Sequence, residues 1–143
     1  MIIEKACKDN VDVIFEINQE FSDGWSQNQM VSAFNSGRFN VLIAKEGLDS
    51  LGYISYSVAI DECDIETIVV KKQFRRKGVG EQLIKTAEKE MLTAGIKKVF
   101  LEVRENNFPA LTLYKKCGYS DISVRKNYYP DGENAIVMAK ELL

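Results

Sequence analysis

Between Val69 and Gly80 the chain reads Val-Val-Lys-Lys-Gln-Phe-Arg-Arg-Lys-Gly-Val-Gly, an apolar strand end running through a basic turn into two glycines. Apolar residues then recur at Val79, Leu83, Ile84, Ala87, Met91 and Leu92, the spacing of a helix with one buried face. Glu81, Lys85, Glu88 and Lys89 are expected on the opposite face. This order puts a glycine loop at the carboxyl end of a strand, where α/β sheets bind ligands. Gly78 and Gly80 permit a tight bend and close approach to the backbone, and the first helical turn leaves N–H groups unpaired. With the helix macrodipole and the cationic Lys71, Lys72, Arg75, Arg76 and Lys77, the stretch reads as a phosphate or pyrophosphate seat. The alternative is a basic, solvated turn that merely starts a helix.

Two familiar glycine loops do not fit. A Walker A loop needs Lys-Ser/Thr after its last glycine, whereas Gly80 is followed by Glu81, and the dinucleotide fingerprint needs a third glycine where this chain has Leu83. The chain contains no histidine, which excludes Ser-His and Cys-His catalytic pairs and histidine-based metal sites. Proton transfer must therefore fall to carboxylate, Tyr, Lys, Cys or water. Cys7, Cys63 and Cys117 are widely spaced, without a Cys-x-x-Cys, and read as free buried thiols; no metal is expected. A net charge of −2 makes the basic cluster a local feature, which favours a small anionic ligand over a polyanion. Interleaved aromatics are limited to Phe74, so no nucleic-acid partner is expected. The N-terminus enters charged residues at once and no long apolar run occurs, so the reading is a cytoplasmic protein with no membrane partner. The length of 143 residues suits one domain, 1–143.

In chain order, Ile2 to Ala6 reads as a strand. A helix follows, capped by Asp9 or Asn10 and closed by Ser22-Asp23-Gly24; a second opens at Trp25-Ser26, with Ser26 a candidate N-cap, and runs to Gly37. Strands are expected over Phe39–Lys45, Leu51–Ile60 and Cys63–Val70, with turns between them. Gly95 ends the long helix, Ile96–Arg104 is strand-like, and Asn106-Asn107 leads into a helix over Pro109–Cys117. Tyr119–Tyr129 and Asn134–Leu142 pair around Pro130-Asp131-Gly132. The predicted fold class is α/β, a mixed sheet with flanking helices in the order β-α-α-β-β-β-α-β-α-β-β.

Arg75 to Gly80 matches Arg/Gln-x-x-Gly-x-Gly/Ala, and this loop resembles the acetyl-CoA pyrophosphate loop of the GNAT N-acetyltransferase superfamily. Asn107-x-x-Ala110-x-x-Leu113-Tyr114-x-x-x-Gly118-Tyr119 resembles the second signature of those enzymes. Leu101-Glu102-Val103-Arg104, Asn127-Tyr128-Tyr129-Pro130 and Ala135-Ile136-Val137-Met138 are similar to the RimI-like branch, the ribosomal-protein-alanine N-acetyltransferases, and Phe21 with Trp25-Ser26 echoes its Phe-Pro-Trp-Ser. Departures are Arg75 for a common glutamine, Asn134 for a usual aspartate, and Ser22-Asp23-Gly24 where a proline normally precedes the tryptophan.

The resemblance implies a mainly antiparallel GNAT sheet and acetyl-CoA as cosubstrate. It implies that Ile68, Val69 and Val70 offer main-chain groups to the CoA arm and an N–H to the thioester oxygen. Arg75, Arg76, Lys77, Gly78, Val79, Gly80 and Glu81 would form the pyrophosphate loop, and Asn107 would hold the arm from the other side. Tyr114 becomes the candidate general acid: a phenol near about 10 gives its proton to a thiolate near about 8.5 only slightly uphill. Its other reading is a core aromatic beside Leu113. Glu102 is the candidate base, with Glu66 as alternative. Trp25, Tyr128 and Tyr129 are candidate acceptor contacts, although strand packing also accounts for the tyrosines. The implied acceptor is the N-terminal α-amine of a ribosomal or other protein; a small amine, polyamine or lysine acceptor, or a non-catalytic CoA-binding module, remain alternatives.

Overall fold

The structure is a computed structural model, described here for residues 1–21 and 26–142. Seven strands form one sheet in the order β1-β2-β3-β4-β5-β7-β6. They are β1 Ile2–Lys5, β2 Phe39–Glu46, β3 Asp49–Ala59, β4 Glu62–Val70, β5 Lys98–Arg104, β6 Ser120–Arg125 and β7 Ala135–Glu141. Four helices accompany them: α1 Val11–Asn18, α2 Gln27–Ser36, α3 Val79–Thr93 and α4 Phe108–Lys116. The order of elements is the predicted one, and every pair of neighbouring strands is antiparallel except β4–β5. Among the described residues no helix is long and apolar enough to cross a membrane.

Local chemistry explains most of these elements. Ser26 caps α2 as predicted: its Oγ accepts from the Gln29 N–H at 3.2 Å while the Gln29 side chain accepts from the Ser26 N–H at 2.8 Å. Gly37 ends that helix with φ of 74°, a left-handed conformation that glycine takes without strain. At α1 the cap differs from the expectation, because the Asn10 side chain turns back to accept from the Cys7 N–H at 3.0 Å.

Two cores sit on the two faces of the sheet. Leu83, Ile84, Ala87 and Met91 of α3 pack with Leu42, Ile54, Val99, Leu101 and Met138 on one face. Ile14 and Ile17 of α1 and Met30 of α2 pack with Val41, Ile43, Tyr53 and Val69 on the other. Leu83 and Ile84 are fully buried, and truncating either to alanine costs about 2–5 kcal/mol. Two assignments on α3 are corrected. Glu88 lies on the buried side, where its carboxylate accepts from the Tyr119 hydroxyl at 2.8 Å and from Lys140 Nζ at 2.9 Å; Leu92, expected inside, is exposed. Helical spacing puts a carboxylate one turn after Ile84 on the packed face, and these two partners make that burial tolerable. Cys63 and Cys117 are free and buried as predicted, whereas Cys7 is exposed.

One irregularity shapes the site. Ser55 pairs with Thr67 and Tyr56 with Ile65, so Glu66 is an extra residue in β4. Such a bulge bends the strand and shifts its alternation. Cys63 and Ile65 point to the α3 face before it, and Ile68 and Val70 do so after it. Pairing of β4 with β5 runs from Glu62–Lys98 to Ile65–Leu101 and stops there, although β4 continues to Val70 and β5 to Arg104. The two strand ends therefore part into a wedge, open at the carboxyl end of both.

Candidate active site

The β4 side of the wedge is built from backbone. Val69 and Val70 remain paired with Tyr53 and Gly52 of β3, and a Cβ at Gly52 would collide with the Val69 carbonyl oxygen. After Val70 a short turn over Lys72–Phe74 leads to Arg76 at φ 63° and Gly78 at φ 81°, both left-handed. Gly78 is the N-cap of α3 and offers no side-chain cap, so the first N–H groups of the helix stay available at the loop. Val79 is buried in the core and pins the helix start, and a Cβ on Gly80 would stand only 3.0 Å from Leu113 of α4.

The basic cluster is less available than its composition suggests. Lys71 Nζ pairs with Glu16 of α1 at 2.7 Å, and the Lys72 N–H donates to Glu20 at 2.8 Å. Arg75 Nε donates to the Val70 carbonyl at 2.9 Å, bracing the loop across its own neck. Arg76 and Lys77 are exposed. The Glu81 carboxylate holds Lys85 at 2.9 Å and Lys116 at 3.0 Å, and the hydrogen bonds from these lysines keep its pKa below the usual carboxylate value. An anion at this loop therefore meets N–H groups first and Arg76 and Lys77 second.

The β5 side is built from side chains. Glu102 and Arg104 share the face opposite Val99, Leu101 and Val103. Arg125 Nε lies 3.6 Å from Glu102 Oε2 and its guanidinium carbon 5.8 Å from the centre of the Tyr128 ring, and interaction with Glu102 is the first cause of the raised Tyr128 pKa. Glu66 accepts from Ser57 Oγ at 2.8 Å. Its carboxyl is pushed up by partial burial and then by the charges of Asp64 and Glu102, so the two candidate bases share one region.

Tyr114 on α4 is buried beside Tyr119, ring centroids 6.2 Å apart in an edge-on contact. Burial pushes its phenol well above the ordinary value, and Tyr129 and Cys117 push it further. The premise of a phenol near its usual pKa is thus corrected: Tyr114 stays protonated across the physiological range and is a weaker acid than its free counterpart. Asn107 is the N-cap of α4, its Oδ1 accepting from the Ala110 N–H at 3.2 Å, which leaves the amide nitrogen as its donor toward a ligand.

The segment between β6 and β7 differs from its prediction. The strand expected to reach Tyr129 stops at Arg125, because Asn127 turns left-handed at φ 53° and the N–H groups of Tyr128 and Tyr129 both donate to the Glu133 carbonyl. Asn134, which stands where an aspartate is usual, works inside this segment, accepting from the Asn127 N–H and donating to Glu105, each at 2.9 Å. Trp25 and Ser22-Asp23-Gly24 lie outside the described residues. A separate cavity of about 340 Å³, lined among others by Tyr56, Val58, Glu90 and Ile96, contains none of the candidate residues.

The strands part after Ile65 and Leu101, with the glycine loop following β4, and a profile of the acetyltransferase (GNAT) family matches residues 10–119. The chain belongs to the GNAT family. An Escherichia coli K12 protein named ribosomal protein bS18-alanine N-acetyltransferase is 32% identical over 118 residues, covering 80% of this chain and 79% of that protein. An N-alpha-acetyltransferase of Sulfurisphaera tokodaii is 42% identical over 79 residues, which is 54% of this chain and 47% of that protein. In three dimensions the chain is similar to the crystal structure of the ribosomal-protein-S18-alanine N-acetyltransferase from Escherichia coli, with a TM-score of 0.91 and 27% identity, covering 98% of this chain and 92% of the other. The GNAT fold and the RimI-like resemblance read from the motifs hold, and the chain is an acetyl-CoA-dependent N-acetyltransferase. These features suit that cosubstrate: an uncapped helix start for phosphate and two strand ends unpaired with each other for an extended amide-rich arm.

Sequence reasoning did not pick out Arg125 and Ser57, whose contacts arise from strand register. It quoted Arg104 only as part of a motif. The alternation Glu102, Arg104 opposite Leu101, Val103 was a signal that could have paired it with the base.

Proposed function

We propose that this GNAT enzyme acetylates the N-terminal α-amine of a protein, a ribosomal protein beginning with alanine or another small residue. The observation that carries the reading is the parting of β4 and β5 after Ile65 and Leu101, which sets the carboxylates Glu66 and Glu102 as the next residues on the two sides of the opening. The E. coli and Sulfurisphaera relatives, whose names specify protein or α-amine acetylation, point the same way. A peptide α-amine with pKa about 8 is already partly neutral near pH 7, whereas a lysine amine near about 10.4 demands far more of a base. A modest carboxylate suits the former.

In this reading the amine nitrogen attacks the thioester carbon, a C–N bond forms, and the C–S bond breaks with the electron pair leaving on sulfur. Main-chain groups of Ile68, Val69 and Val70 hold the CoA arm and direct an N–H at the thioester oxygen. The N–H groups from Arg76 to Glu81 bind pyrophosphate, with the Arg75 brace keeping the loop in shape, and the Asn107 amide donates from the opposite side. Glu102 accepts the amine proton through water, with Glu66 as the alternative base. Tyr114 donates to the departing thiolate. Its raised pKa means that full transfer depends on alignment with the developing negative charge rather than on acidity alone. Tyr128 and Tyr129 line the acceptor groove.

The test is thiol release from acetyl-CoA with N-terminal peptides, lysine peptides and polyamines side by side. Turnover confined to small-residue N-termini is the expected result. Preference for spermine or a lysine side chain would overturn the acceptor assignment and leave the chemistry in place.

A further inference from the structure

We propose that Arg104 is the positioning residue of the acceptor side, locking segment 126–134 in place so that Tyr128 and Tyr129 are held against the β5 face that carries Glu102. The inference rests on the reading that this segment faces the acceptor. Arg104 sits two residues after Glu102 on the same face of β5, with its side chain 21% exposed. Its Nη1 reaches Asp131 at 2.9 Å and 3.1 Å and Glu133 at 2.8 Å, while the guanidinium carbon lies 4.1 Å from the centre of the Tyr129 ring. One nitrogen of the cation thus reaches two carboxylates while the flat guanidinium lies over an aromatic face; an ammonium could make the first contact but has no planar face for the second.

The grip propagates. Glu133 also accepts from the Asn106 N–H at 2.9 Å, and its carbonyl receives the N–H groups of both tyrosines. Asp131 Oδ1 accepts from the Glu133 N–H at 3.0 Å, and Asn134 closes the base of the segment by bonding Asn127 and Glu105. Tyr128 and Tyr129 contact each other edge-on at 5.1 Å. From that pair Tyr128 lies against Arg125, whose guanidinium carbon is 5.8 Å from its ring centre and whose Nε is 3.6 Å from Glu102. Ordering a segment that runs without secondary structure from Lys126 to Asn134 costs conformational entropy, and Arg104 is the contact through which the rigid sheet supplies that order.

The test combines Arg104→Gln, Arg104→Lys and Glu133→Gln. Amide exchange of residues 127–134, measured without acceptor, should accelerate about tenfold or more in Arg104→Gln while α3 is unchanged. The acceptor kcat/KM should fall about 100-fold, with the acetyl-CoA KM within about twofold of wild type. Lysine should restore only a minor part of that loss. If Arg104→Gln does not fold, Glu133→Gln, which removes the charge and leaves one oxygen where Arg104 and the Asn106 N–H use two, should show the same split in milder form. Unchanged exchange in the segment, full rescue by lysine, or an equal rise of KM for both substrates would overturn the proposal. Because exchange is read without an amine, it is separate from the acceptor assignment. If only polyamine or lysine peptides turn over, that assignment fails, and Arg104 is tested on whichever amine reacts.

Discussion

The two sides of the wedge are built from different materials. On the β4 side the side chains are already engaged elsewhere: Lys71 with Glu16, Arg75 with the Val70 carbonyl, Val79 with the core. What remains for a ligand there is mostly backbone, shaped by Gly52, Gly78 and the bulge at Glu66, with the exposed Arg76 and Lys77 beside it. On the β5 side and across it, Glu102, Arg104, Asn107 and Tyr114 present side-chain atoms on a strand and a helix that pack well. In the proposed mechanism one side holds by shape and the other acts by chemistry. Substitutions should therefore fail differently: geometry-breaking changes on the first affect acetyl-CoA binding and stability, and truncations on the second affect turnover.

The sharpest test lies on the chemical side. Glu102→Gln and Tyr114→Phe should each lower kcat by about 10² to 10⁴ while leaving the fold and acetyl-CoA binding intact, as steady-state kinetics and calorimetric titration would reveal. A loss below about tenfold in Tyr114→Phe would move proton donation to water and erase the distinction. Next in size is Gly52→Ala. Its new Cβ meets the Val69 carbonyl, backbone that cannot step aside, so urea unfolding should show a loss of about 1–3 kcal/mol together with weaker acetyl-CoA binding. Gly78→Ala has open space around it but a φ of 81°, so only backbone strain of about 1–2 kcal/mol is expected. Its acetyl-CoA KM should rise and its acceptor KM should not; movement of both would mean that the two sides are not separable.

The smallest effect concerns Glu66. Its folded pKa is raised, so the folded protein holds that proton more tightly than the unfolded chain does. This contribution to stability is complete below the unfolded carboxylate's pKa and is lost as pH rises through the folded value. Glu66→Gln, which keeps an acceptor for Ser57, should match wild type in acid and melt at a higher temperature toward neutrality. Melting curves that stay parallel across this range would contradict the assigned shift.

Much of the fold was legible because its signals are local. The period of α3, the capping box at Ser26, the glycine ends and the turn before α3 each depend on residues within a few positions of one another. The motifs behind the family resemblance, Arg75–Gly80 and Asn107–Tyr119, were legible for the same reason. Glu88 was misread because spacing alone cannot tell a solvated edge from one that meets Tyr119 and Lys140 across the sheet. The end of β6 was misread because alternation continues in the residue types through Tyr129, while the backbone is pulled away by hydrogen bonds to Glu133.

By itself, then, the sequence determined the elements, their order, the loop that suits a pyrophosphate and the kinds of group available to move a proton. Only the tertiary structure decided that Glu66 is a bulge, that β4 and β5 part after Ile65 and Leu101, and that Arg104 grips Asp131 and Glu133. The reason is physical. Helical period, caps and turns follow from neighbouring residues, whereas register and cross-strand pairing join residues far apart in the chain whose partners exist only once the sheet has closed.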